Sequence, residues 1–119
     1  MKRRNLLFII CIFLPLIGYA QTISLEGNWR FKLDPKDKGT SEQWHSKTLS
    51  DEISLPGSCE EQGYGVKNIK ADMERLTRDV AYEGKAWYQK DFEVPASWNG
   101  KHVELFLERC HWESNVWID

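Results

Sequence analysis

Downstream of residue 20 the chain alternates apolar and polar residues with the two-residue period of a strand. Trp29-Arg30-Phe31-Lys32-Leu33 is such a stretch, and the cluster Asp34-Pro35-Lys36-Asp37-Lys38-Gly39 after it predicts a turn. Ile53-Ser54-Leu55 predicts a short strand ended by Pro56-Gly57. Ala86 to Val94 is aromatic-rich and partly alternating, and Pro95 stops it. Asn99-Gly100 is a hairpin-type turn signal. His102 to Glu108 is the clearest strand, with Val103, Leu105 and Leu107 on one face and Glu104 and Glu108 on the other. Asn115 to Ile118 begins another. Helical periodicity never runs between two caps. Gln43 to Thr48 and Ala71 to Arg78 each admit a single helical turn. Short strands, frequent turns and six tryptophans predict an all-β sandwich. Between Gly57 and Gly84 lies a long charged, glycine-containing stretch of weak periodicity, the place to look for ligand or partner contact.

The start of the chain has a different character. Met1-Lys2-Arg3-Arg4-Asn5 is basic, Leu6 to Gly18 is almost wholly apolar, and Tyr19-Ala20 supplies a small residue for cleavage. These are the three parts of a signal peptide, predicting residues 1–20 as leader, residues 21–119 as one domain, and a secreted or periplasmic location. The apolar run is shorter than the ~20 residues of a membrane span, and Pro15 interrupts it. Removing the leader from the 119 residues leaves 99, with 13 basic residues against 18 acidic ones. That balance disfavours nucleic acid and anionic membranes as partners. A catalytic barrel of about 250 residues does not fit in this length. Ile118-Asp119 falls inside a strand pattern, so the expectation is a sandwich incomplete at its C-terminal end and a chain that is a piece of a longer product.

Of three cysteines, Cys11 lies in the leader. A Cys59–Cys110 disulfide is one reading of the other two. Two buried thiols packed as small hydrophobes is the second, and so low a cysteine count favours it. His45, His102 and His111 do not stand at metal-ligand spacing with the cysteines, and no cofactor or metal is indicated. Glu60-Glu61 is a tempting acid pair, but neighbours on an extended chain point to opposite faces.

Three blocks carry a resemblance. The first is Leu25-x-Gly27-x-Trp29-x-Phe31 and the second Ile53-x-Leu55-Pro56-Gly57-Ser58. The third runs through Tyr82-x-Gly84-x-x-Trp87-Tyr88, Phe92-x-Val94-Pro95, Trp98-x-Gly100-Lys101-x-Val103-x-Leu105 and Val116-Trp117. In order and spacing they resemble the amino-terminal sugar-binding domain of glycoside hydrolase family 2, which holds β-galactosidases, β-glucuronidases and β-mannosidases. The resemblance implies a jelly-roll-like, galactose-binding-domain-like β-sandwich. In the family an immunoglobulin-like sandwich and a barrel follow it. It implies a β-galactosidase-like hydrolase of O-glycosyl bonds in carbohydrate metabolism, meeting its β-glycoside through the full-length enzyme. The two catalytic glutamates of such retaining enzymes, about 5–5.5 Å apart, lie on the barrel. No catalytic residue is therefore assigned in this chain.

By position in the family, the segment before Tyr82 reaches the substrate rim, making Arg75, Arg78 and Asp79 candidates for substrate contact, with surface charge as the plainer role. Trp29, Trp87 and Trp117 sit at family core positions and Trp98 at a turn. Trp44 and Trp112 remain as candidates for stacking on a sugar. A stand-alone carbohydrate-binding module without hydrolase activity is the alternative function, and a non-functional truncated reading frame a third.

Overall fold

A computed structural model describes residues 20–68, 78–110 and 112–119. Strands in this region are β1 (Gly27–Asp34), β2 (Asp51–Leu55), β3 (Val66–Lys67), β4 (Val80–Ala81) and β5 (Lys85–Gln89). Short 3-10 turns lie at Trp44–Ser46 and Ala96–Trp98, and the described residues contain no α-helix. The class is all-β, as the alternation and turn residues predict. Residues 1–19 and the expected helical turn before Arg78 lie outside the described residues.

β1 is the centre of the main sheet, with β2 on one side and β5 on the other, both antiparallel. In register, Trp29 faces Ile53 across the β1–β2 ladder, and Phe31 faces Tyr88 and Lys32 faces Trp87 across the β1–β5 ladder. Cross-strand partners share a face, so the sheet has two distinct sides. One carries Phe31, fully buried, with Ile53 and Tyr88; the Tyr64 ring meets Phe31 edge-on at 4.8 Å and Tyr88 lies 5.0 Å from it. Burying a phenylalanine contributes about 1.5–3 kcal/mol. The other side carries Trp87, which clusters with Trp44 and Leu49. Lys32 caps that cluster, its ammonium 4.0 Å from the Trp44 ring centre.

Asp34 ends β1 with its side chain buried. Its carboxylate accepts the backbone N–H groups of Lys38 and Gly39, both at 2.7 Å, and the Trp87 indole N–H at 3.1 Å. The turn predicted at 34–39 is thereby tied to β5. Tyr82 supports the same junction: its hydroxyl donates to the Lys85 carbonyl at 2.6 Å and accepts the Asp34 N–H at 3.1 Å. Gly84 gives that hydroxyl room, since a Cβ there would stand 2.7 Å from it and the backbone φ is +148°.

The sequence reading departs from the structure in two strands. His102–Glu108 and Asn115–Ile118 pair with none of β1–β5. Val103, Leu105 and Leu107, the shared face of the first of these, are exposed, as is Phe92. Alternation decides which side chains share a face, whereas a strand exists only once its backbone has a ladder partner. Both sides of β1 are already occupied. β5 likewise ends at Gln89, short of the predicted Val94. Near the end of the chain, Trp117 stacks on His45 (5.5 Å, 8°) and on Trp87 (4.9 Å, 26°), so it is a partly exposed cover over the buried tryptophans.

Candidate functional site

Two open pockets stand out among the described residues. The smaller, about 240 Å³, lies at the sheet surface around Arg30, Glu52 and Asp91. Arg30 is committed there, donating to Gln89 at 2.9 Å and to Asp91 at 2.6 Å. The larger, about 620 Å³, is lined by Ser58, Glu60, Glu61, Gly63, Arg78, Asp79 and Val80. That volume falls within the range of small-ligand sites. Arg78 and Asp79, named from the sequence, both lie on its wall; Arg75 is outside the described residues.

The turn after β2 builds the opposite wall. Pro56-Gly57 takes the chain out of the strand, and the 58–64 segment folds on itself through Gly63 N–H to the Glu60 carbonyl (3.0 Å) and Tyr64 N–H to the Cys59 carbonyl (2.9 Å). Gln62 fastens it to β2 by accepting the Ser54 N–H at 2.8 Å and donating to the Ser54 carbonyl at 2.7 Å. This corrects the extended-chain reading of Glu60-Glu61. On a turn the two carboxylates are not forced to opposite faces, and both line the same pocket.

Arg78 bridges the walls. Its Nη1 donates to Glu60 Oε1 at 2.9 Å, with the Glu60 side chain 16% exposed and that of Arg78 73%. Glu60's own backbone N–H, then the Cys59 thiol and Arg78, hold the Glu60 carboxyl below the usual range against the opposing effect of burial. The Cys59 thiol donates to Glu60 Oε2 at 3.3 Å, and burial, then this carboxylate, push the thiol up. Glu61 accepts the Ser58 N–H at 3.2 Å.

The remaining sequence candidates fall elsewhere. Trp44, a candidate sugar platform, is a core residue, 8% exposed against Trp87 and Leu49. A ring so covered has no face to offer a sugar. Trp112 is exposed, at φ +62°. Cys59 and Cys110 are free thiols, and Cys110 is exposed, contrary to two buried thiols. No group of His, Cys, Asp and Glu among the described residues is arranged to hold a metal.

Among the described residues, Tyr88 is a strongly displaced titrating group. Desolvation leads in pushing it to about 12, and Cys59, Glu60, Cys110 and Tyr82 around it add to the effect. The folded state thus favours the neutral phenol. Its contribution to stability is whole below the ordinary value of 10 and is lost as pH rises from there through about 12. Urea melts at pH 8, 10 and 11.5 should show stability falling over the last interval, and Tyr88→Phe should flatten that fall. An equally steep fall in the variant refutes the assignment.

Residues 22–119 match the family described as glycosyl hydrolases family 2, sugar binding domain. The chain belongs to that family. The fold of a family 2 sugar-binding domain is a jelly-roll-like sandwich, which agrees with the all-β, antiparallel architecture. The chain is also 34% identical over 99 residues to a β-glucuronidase from Paenibacillus borealis, an alignment covering 80% of this chain and 14% of the relative. No solved structure gives a significant match. Ser58, Glu60 and Glu61 line the larger pocket, within the Gly57–Gly84 stretch marked from the sequence for ligand contact, although none of the three was named there as a candidate. The Pro56-Gly57 turn was the available signal, because it brings the next residues back beside β2.

Proposed function

We propose that this chain is the non-catalytic sugar-binding domain of a secreted β-glycoside hydrolase, with the pocket between residues 58–63 and 78–80 on its substrate rim. The observation that carries the reading is the convergence of Arg78 and Asp79 with Ser58, Glu60 and Glu61 around one open pocket of about 620 Å³. Carboxylates and a guanidinium offer acceptors and donors suited to sugar hydroxyls. The 34% identity to a β-glucuronidase supports a hydrolase context, and the chain spans only 14% of that relative's length. The basic start, the apolar stretch Leu6 to Gly18 and Tyr19-Ala20 support secretion.

The chain should release no nitrophenol from nitrophenyl β-galactoside, β-glucuronide or β-mannoside. Saturation-transfer NMR should nevertheless detect contact with a methyl β-glycoside. Asp79→Ala should weaken that contact by at least about tenfold, the loss of one hydrogen bond to a charged acceptor. Turnover by the chain would refute the non-catalytic role. Absence of contact with every methyl β-glycoside would refute the rim assignment.

A further inference from the structure

We infer that the 58–63/78–80 pocket selects neutral glycosides and excludes uronic acids, with Glu60 and Glu61 as its specificity-determining residues. This rests on the rim reading above and adds a substrate class to it. Among the described residues three carboxylates line the pocket, those of Glu60, Glu61 and Asp79, against one guanidinium. That guanidinium is already paired: Arg78 donates to Glu60 at 2.9 Å. The pairing is built in, because the Glu60 side chain is largely buried and its carboxyl stays ionised. Among the described lining residues an incoming carboxylate meets a guanidinium already shared with Glu60 and an excess of two negative charges. Sugar hydroxyls meet the opposite situation. Each is a donor to a carboxylate acceptor, the stronger kind of hydrogen bond.

The relative bears the name β-glucuronidase, and a glucuronide presents a carboxylate where a glucoside carries a hydroxymethyl group. Shared descent with that protein therefore does not by itself transfer the anionic substrate to this chain. The charge of the pocket argues for the uncharged member of that pair.

Methyl β-D-glucoside and methyl β-D-glucuronide differ only at this group, so they separate the alternatives. Both would be titrated against the 119-residue chain by saturation-transfer NMR at low and high salt. The glucuronide should bind about tenfold more weakly at low salt, the combined effect of two uncompensated unit charges, each at ~8 Å in an effective dielectric of ~60. Raising the salt should narrow the gap. Glu60→Gln should release Arg78 and bring the glucuronide within about threefold of the glucoside, the part of that penalty one charge accounts for. Glu61→Gln, which leaves the Arg78 pair intact, should recover part of it and serves if the first variant fails to melt cooperatively. Equal or tighter binding of the glucuronide by the unaltered chain overturns the neutral-sugar inference and leaves the rim reading standing. Binding of neither ligand, nor of methyl β-D-galactoside, overturns both.

Discussion

Asp34→Ala should lower the stability of the folded domain by about 3–5 kcal/mol, because two buried donors and one part-buried donor lose a charged acceptor together. They are the Lys38 and Gly39 backbone N–H groups and the Trp87 indole N–H. A domain of this size holds only ~5–15 kcal/mol in total, so the variant should melt early in urea or be mostly unfolded. Asp34→Asn keeps one oxygen as acceptor but loses the charge, and roughly half the deficit is expected. The same contacts set an acid limit. Burial pushes the Asp34 carboxyl up, but the Lys38 and Gly39 N–H groups, the indole and the Lys85 charge outweigh it and hold it below its ordinary value. A carboxyl lowered in the folded state stabilises at neutral pH and loses that contribution as pH falls through the carboxylate range. Acid titration of urea midpoints should therefore be shallower in Asp34→Asn than in the parent. Unchanged midpoints at neutral pH would contradict the network.

Gly39→Ala is the second large effect. A Cβ at this position would stand 2.1 Å from Trp87 Nε1, 2.3 Å from Cε2 and 2.6 Å from Cζ2. The indole has little freedom to yield, being bonded to Asp34 and packed with Trp44 and Leu49. Overpacking of this kind costs roughly 2–4 kcal/mol. Trp87→Phe removes the indole atoms that collide, so the double variant should be less destabilised than the two single ones combined. A coupling of about 0.5–3 kcal/mol is the expected size for residues in direct contact. Strict additivity of the two substitutions would show that the methyl group finds space elsewhere.

The legible parts of this fold were those governed by neighbouring residues. β1 and β2 follow from local alternation and from the turn residues that end them. The 3-10 turn at Trp44–Ser46 falls inside the Gln43–Thr48 stretch. What escaped depends on distant residues. Asp34 looks like an ordinary turn former, and only Trp87, 53 positions later, makes it a buried anchor. The two-residue strands β3 and β4 are too short to show a period. His102–Glu108 shows a period without a partner. In the pocket, Arg78 and Asp79 were found by position in the family pattern. Their companion Glu60 lies 18 residues away and is joined through a turn whose geometry no periodicity encodes.

The central place of β1 sets the order of events during synthesis. β1 leaves the ribosome first among the strands, yet one of its two edges waits for β5. Arg30 and Gln89, partners in that ladder, are 59 residues apart. At ~5–20 residues per second, about 3–12 s pass between them. Through that interval β1 can pair only with β2, and Phe31 lacks the Tyr88 ring beside it. The nascent chain thus carries a half-covered apolar hairpin for seconds, a natural target for chaperones that recognise exposed strands.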